Sequence, residues 1–157
     1  MDSATRRRFM LALALAMSLA PVQALGQSGS WDRAANIKSA ATEITEIRTR
    51  KGANGAFAAI GACYEESVTP AQTYSQAVEA CLTQDVLISR LSASVYASVS
   101  PEARKMSGSP EPEAVMGEMA ARVEQTFRRF DVPPDAAREI VRDMIALGDS
   151  AMLEAMQ

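Results

Sequence analysis

The chain has 157 residues, a length that suits one domain, and it is 48% hydrophobic and 22% charged, which excludes a chain disordered by composition. Only 5% of the residues are aromatic, so we expect a helical core of small and aliphatic side chains rather than a β-sandwich. The absence of histidine excludes Ser-His-Asp and Cys-His catalysis and histidine-ligated metals. Since no motif points to catalysis or to a metal site, we predict no enzymatic activity and no cofactor.

The first 24 residues have the parts of an export signal. Three arginines at 6–8 precede an uncharged run of Leu, Ala and Met over 9–20, which Pro21 ends. The residues Val-Gln-Ala before position 25 fit a small-x-small cleavage rule, so we predict cleavage after Ala24. Because a membrane span needs about 20 apolar residues, a cleaved signal is favoured over a retained anchor. The prediction is an export signal over 1–24 and one periplasmic or secreted domain over 25–157.

The segment Thr-Arg-Arg-Arg-Phe-Met at 5–10 resembles the twin-arginine export motif, whose pattern is Ser/Thr-Arg-Arg-x-Phe-Leu. The matching residues are Thr5, Arg6, Arg7 and Phe9. The resemblance covers the signal alone, and it implies a passenger that is exported already folded. The general secretory route stays open, because arginine-rich starts also occur in its signals.

Cleavage would also change the charge of the chain. Residues 1–24 contain three Arg and one Asp, so their removal takes the formal net charge from −3 to −5. A mildly acidic domain lacks the basic surface that nucleic acid or an anionic membrane attracts. We therefore expect no nucleic-acid partner and no membrane association after cleavage.

Two cysteines, Cys63 and Cys81, follow the signal. In an exported protein such a pair predicts a structural disulfide, and the spacing differs from the CxxC of thioredoxin-type redox sites. The bond would close a loop of 18 residues. In the chain-entropy model this restricts the unfolded state by about 3 kcal/mol.

Helical periodicity predicts the first elements. A helix capped by Ser30 should run to about Arg50, followed by an interruption at 51–55 and a second helix over 56–66. The third helix has two possible starts: after a capping box at 69–72 with Pro70 in the first helical position, or after a second box in which Thr73 caps the helix. In a tight antiparallel hairpin the early start leaves the cysteines about 12 Å apart, too far for a bond. The late start is therefore favoured, with steeply crossing helices as the alternative.

The third helix should continue to about Ser98, and a short turn or helix should start near Ser100. A fourth helix is expected over 113–130, with a Glu118–Arg122 pair on its side, and a last helix after the two prolines at 133–134. No segment alternates at period two for long enough to predict a strand. The sequence therefore predicts an all-α fold, a compact antiparallel bundle of about five helices.

Asp85 is the polar residue that stands out, since it lies on the apolar stripe of the third helix. A buried carboxylate needs a partner, so we expect it either to pair with an arginine or cap a helix, or to contact a ligand or partner. Tyr64 and Tyr74 are further candidate contacts, which could frame a pocket or donate buried hydrogen bonds.

These features favour an exported, non-catalytic helical protein that binds another protein. A narrower alternative is an immunity protein or an inhibitor of a cell-wall enzyme. A third is a carrier of a small molecule or lipid, with a cavity between helices. The residues predicted to line that cavity are Phe57, Tyr74, Phe127 and methionines.

Overall fold

A computed structural model describes residues 31–157, which form helices and no strand. The predicted all-α bundle is thereby confirmed. The predictions for the signal at 1–24 and for a cap at Ser30 lie outside the described residues. The helices are α1 (Arg33–Cys63), α2 (Gln76–Ala97), α3 (Pro101–Ser107), α4 (Pro112–Arg129) and α5 (Pro134–Ala155), with a π-helical turn, Tyr64–Val68, after α1.

Helix α1 contains the first predicted helix and most of the second, whose last residues, 64–66, form part of the π-helical turn. It begins after Asp32, whose carboxylate accepts a hydrogen bond of 3.0 Å from the Ala35 amide. The predicted interruption is a single residue, Gly52, with φ 71° and ψ −174°. Glycine adopts this backbone conformation without a steric penalty, so the helix breaks there and restarts at once.

The late start of the third helix is confirmed. Helix α2 begins at Gln76, and the Ser75 hydroxyl accepts from the Val78 amide at 3.3 Å, so the capping residue is Ser75 rather than Thr73. Cys63 and Cys81 form the predicted disulfide, with a Cα–Cα distance of 5.7 Å. The bond fixes the end of α1 beside the second turn of α2.

Helix α2 is the centre of the molecule. It packs against α1, α4, α5 and the π-helical turn, and its side chains are buried on all sides between 81 and 89. A helix surrounded in this way has no solvent face, so even its polar residues must be satisfied inside the protein. The two buried carboxylates of α2, Glu79 and Asp85, must therefore find hydrogen-bond donors within the protein.

Helices α4 and α5 enclose α2 from outside without closing on each other. Each begins with a proline, which suits the first turn because no backbone donor is lost there. The main contacts of α4 are with α2, whereas α5 packs on α1 and α2. At Gly148 the α5 backbone approaches α2 closely, since a Cβ there would lie 2.6 Å from Leu87 Cδ1. Farther from that point, α4 and α5 leave an open space between them.

Candidate functional site

Asp85 is fully buried and ion-paired. Arg122 of α4 donates to both of its oxygens, from Nε to Oδ2 at 2.9 Å and from Nη2 to Oδ1 at 2.8 Å. Tyr64 and Ser89 donate to the same carboxylate through their hydroxyls, each at 3.0 Å. The arginine pairing is one of the two expected outcomes, and the partner is supplied from 37 positions away. A contact between Asp85 and a ligand or partner stays a prediction.

This pairing replaces the one predicted along α4. Arg122 binds Asp85 instead of Glu118, and among residues 31–157 no basic group lies within 4 Å of the Glu118 carboxylate. A bidentate pair with a buried carboxylate is a stronger interaction than an exposed ion pair along one helix. Arg122 therefore pairs with the buried Asp85. Asp85 raises the pKa of Arg122 by accepting its hydrogen bonds.

The disulfide and the π-helical turn hold Tyr64 against Asp85. Tyr64 directly follows Cys63, and the Thr69 amide donates to the Tyr64 carbonyl at 2.8 Å to close the turn. Burial raises the pKa of Tyr64 far above its ordinary value, and the neighbouring Asp85 charge adds to the shift. The hydroxyl thus stays protonated and serves as a donor to Asp85.

A second fully buried carboxylate, Glu79, lies at the start of α2. Its oxygens accept from four side chains, at distances of 2.9 to 3.4 Å. The donors are Trp31, Arg33, Asn36 and Tyr74. The beginning of α1 is thereby joined to α2, and the pKa of Tyr74 is raised by burial first and by the Glu79 charge second.

Glu79 was not predicted from the sequence, although the sequence contains a signal for it. Between Val78 and Ser89 the only charged residues are Glu79 and Asp85. A helix with so few charges lacks a solvent face, and any acid on it must therefore find buried donors. Helical periodicity placed Asp85 on the apolar stripe, but it gave no indication that Glu79, six residues earlier, is also buried.

The space between α4 and α5 is an apolar groove of about 960 Å³, which we call the α4–α5 groove. Val86 of α2 lies within it, and α4 and α5 supply its two sides. Its charged residues are Glu124 and Arg128 on α4 and Arg138 and Arg142 on α5. The apolar residues that line the groove are Val86, Met119, Ala120, Val123, Phe127, Val132, Pro134, Ala137, Val141, Ile145 and Ala146.

A smaller cavity, of about 490 Å³, lies on the other side of α4, between α2 and the end of α1. We call it the aromatic cavity, because Phe57, Tyr64 and Tyr96 line it. Its polar residues are Ser89, Glu118 and Arg122. It therefore lies directly beside the Asp85–Arg122 pair.

The structure separates the residues predicted to line a single carrier cavity. Phe57 belongs to the aromatic cavity and Phe127 to the α4–α5 groove. Tyr74 lines neither of these two, since its ring packs against Trp31, Phe127 and Phe130, with centroids 6.3, 5.8 and 6.4 Å away. The prediction of one shared cavity is therefore wrong. Phe57 lines the aromatic cavity, Phe127 lines the α4–α5 groove, and Tyr74 packs in an aromatic cluster.

Two general features bear on the kind of site. Within the described part of the chain, no three His, Cys, Asp or Glu residues are placed to hold a metal ion. None of its helices has both the length and the apolar character needed to cross a membrane.

No protein-family model matches this chain, and neither the curated proteins nor the solved structures give a match. Its function is therefore argued from its own geometry. The α4–α5 groove is the larger of the two spaces and the more apolar, and it is the candidate functional site.

Proposed function

We propose that this chain is an exported, non-catalytic protein that binds a partner protein through the α4–α5 groove. The occupant is an amphipathic helix of the partner, with acidic residues beside its apolar face. The observation that carries the proposal is the groove itself, an apolar space of about 960 Å³ between two consecutive helices that do not close on each other.

The length of the groove suits a helix. Its lining residues span 119–128 on α4 and 134–146 on α5. At 1.5 Å per residue these segments are about 14 and 18 Å long, close to three turns of helix. Three turns accommodate apolar anchors at positions i, i+3 or i+4, and i+7, which is how amphipathic helices occupy grooves.

The charges around the groove favour an acidic partner. Of its four charged lining residues three are arginines, although residues 31–157 carry a net charge of −5. Each arginine pairs with a carboxylate on its own helix, for example Arg128 with Glu124 at 2.7 Å. Such exposed pairs contribute only about 0–1 kcal/mol, so a partner's carboxylates can replace them at little cost.

The lining also supports binding rather than catalysis. Apart from Glu124 its polar groups are arginines, so the groove holds no nucleophile next to a base. An immunity protein or an inhibitor of a cell-wall enzyme would be one form of the proposed function, and it stays a prediction about the identity of the partner.

Site-specific photocrosslinking in the native host tests the proposal. Ala120 and Ala121 are adjacent exposed residues of α4, and only Ala120 lines the groove. A benzophenone amino acid at position 120 should give one discrete protein adduct, and the same group at position 121 should give none. Mass spectrometry then identifies the partner and the crosslinked segment, which should be helical and acidic.

A second change checks that the adduct depends on the apolar lining. Ile145→Glu places a charge in the groove from the half-buried face of α5, and it should abolish the adduct from position 120 while the helical circular dichroism is retained. An adduct with a second copy of this chain would contradict the proposal, as would equal adducts from positions 120 and 121. The absence of any protein adduct at position 120 would exclude it.

A further inference from the structure

The aromatic cavity differs from the α4–α5 groove in its chemistry. Three half-buried aromatic side chains line it: Phe57 from α1, Tyr64 from the π-helical turn and Tyr96 from α2. Its volume, about 490 Å³, lies within the range of about 300–1,000 Å³ that is usual for small-molecule sites. The cavity is thus large enough for a small organic ligand.

The net charge at one end of the cavity depends on the Asp85–Arg122 pair and on Glu118. Arg122 has its Nε and Nη2 groups committed to Asp85, so these two charges offset each other. Glu118 also lines the cavity, and no basic group of the described chain lies within 4 Å of its carboxylate. The charged groups at this end of the cavity therefore sum to a net negative charge.

The hydroxyl groups reinforce this polarity. Tyr64 and Ser89 both donate their hydrogens to Asp85. Toward a ligand each of these hydroxyls presents only acceptor lone pairs. Arg122 also lines the cavity, but it is already paired with Asp85. A bound anion would therefore meet these acceptors and the Glu118 carboxylate, whereas a cation would be attracted by them and by the aromatic rings.

We propose that the aromatic cavity binds a small organic cation, an ammonium group with apolar substituents. The ammonium group lies between the aromatic rings and Glu118, and the apolar part contacts Ile60 and Val115. This site goes beyond the proposed protein-binding function, and it uses the opposite side of α4 from the groove.

Choline and 3,3-dimethylbutan-1-ol test the proposal, because the two molecules have the same shape and differ in charge. Titration of the mature, disulfide-bonded protein is followed by NMR, using the aromatic signals of Tyr64 and Tyr96. We expect choline to bind at least about tenfold more tightly than the neutral alcohol, a difference of about 1.4 kcal/mol.

Two variants locate the site on Glu118. Glu118→Gln should weaken choline binding about tenfold and leave the weak binding of the alcohol unchanged. Glu113→Gln is the matched control, since Glu113 is also exposed on α4 and does not line the cavity. Equal affinity for choline and the alcohol would overturn the proposal, and so would unchanged tyrosine signals in millimolar choline. An equal effect of the two glutamine variants would also overturn it. Ile145→Glu in the groove should not alter choline binding, so the two proposals fail independently.

Discussion

Asp85 and Arg122 join the central helix to α4 through two parallel hydrogen bonds of 2.8 and 2.9 Å. The carboxylate is fully buried, whereas the arginine side chain is 39% exposed. The two partners therefore depend on each other unequally. If the pair is broken, Arg122 can turn toward water, while Asp85 has no such alternative.

Because of this asymmetry, substitutions of Arg122 and of Asp85 should lower the free energy of unfolding by different amounts. Arg122→Gln leaves a buried carboxylate without its cation, and we expect it to lower the free energy of unfolding by about 3 kcal/mol or more. Asp85→Asn leaves a cation that water can reach, and the loss should be smaller, about 1–2 kcal/mol. Urea denaturation of both variants measures the difference.

The exposed pair between Arg128 and Glu124 provides the control for these two variants. Arg128→Gln should change the free energy of unfolding by less than about 1 kcal/mol, because solvent screens that pair. If Asp85→Asn lowered the free energy of unfolding more than Arg122→Gln, the assigned dependence would be wrong.

Reduction of the Cys63–Cys81 disulfide should destabilise the protein without changing its fold. The bond closes a loop over a sequence separation of 18, which corresponds to about 3 kcal/mol and a fall in the melting temperature of roughly 10 °C. Thermal melts with and without reductant, and of Cys63→Ala/Cys81→Ala, measure the change. The double alanine variant should not respond to reductant, and a response would show that the reductant acts elsewhere.

Alkaline pH should destabilise the fold through Tyr64 and Tyr74. Both have a raised pKa in the folded protein, whereas tyrosines in the unfolded chain ionise near pH 10. Above about pH 10 the unfolded state therefore releases protons that the folded state retains, and stability falls by up to about 1.4 kcal/mol per pH unit for each tyrosine. Below that pH the two tyrosines add no pH dependence.

Urea denaturation at about pH 9, 10 and 11 measures this slope. The variant Tyr64→Phe/Tyr74→Phe is less stable at neutral pH, because two donors to buried carboxylates are lost. Its stability should nevertheless fall less steeply above about pH 10. An unchanged slope would assign the alkaline loss to other groups.

Gly148→Ala should destabilise the bundle even though alanine favours helices. The added Cβ would lie 2.6 and 2.8 Å from the two methyl groups of Leu87, so this buried side chain would have to shift. Overpacking of this kind costs about 1–3 kcal/mol, more than the gain in helix propensity of about 1 kcal/mol. Gly117→Ala on α4 is the matched control, since a Cβ there meets nothing within 4 Å. That variant should gain stability, and a gain at both positions would contradict the close contact.

Processing of the signal gives a further prediction. The exported protein should begin at Leu25, as measured by N-terminal sequencing of the periplasmic fraction. Ala24→Leu should accumulate the uncleaved precursor, because the cleavage site requires a small residue there. An intact N-terminus in the cytosolic fraction would contradict export. The variant Arg6→Lys/Arg7→Lys distinguishes the two routes, since the twin-arginine route depends on both arginines.

Several elements were predictable because their signals are local. Helical periodicity placed α4 and α5 within a few residues of their observed ends. The distance that a disulfide allows selected the late start of α2, although the capping residue is Ser75 rather than Thr73. Periodicity depends only on residues within one or two turns, which is why α4 and α5 could be predicted from the sequence. The start of α2 was instead selected by the disulfide, which joins residues 18 positions apart.

Other features depend on which surfaces meet. The sequence indicated that Asp85 needs a partner, but it predicted that Arg122 pairs with Glu118 along its own helix. The crossing of α2 and α4 determines which acid Arg122 binds, since it places Arg122 Nη2 2.8 Å from Oδ1 of the buried Asp85. Glu79 was overlooked for a related reason, since three of its four donors precede it by more than 40 positions.

The amino-acid sequence by itself determined the helices, the disulfide partners and the need of one buried acid for a counter-charge. Only the tertiary structure decided which arginine supplies that charge, and that α4 and α5 remain apart along the groove. The physical reason is range: helix formation depends on neighbours up to four residues away, whereas a groove or a cavity exists only where distant helices fail to fill the space between them.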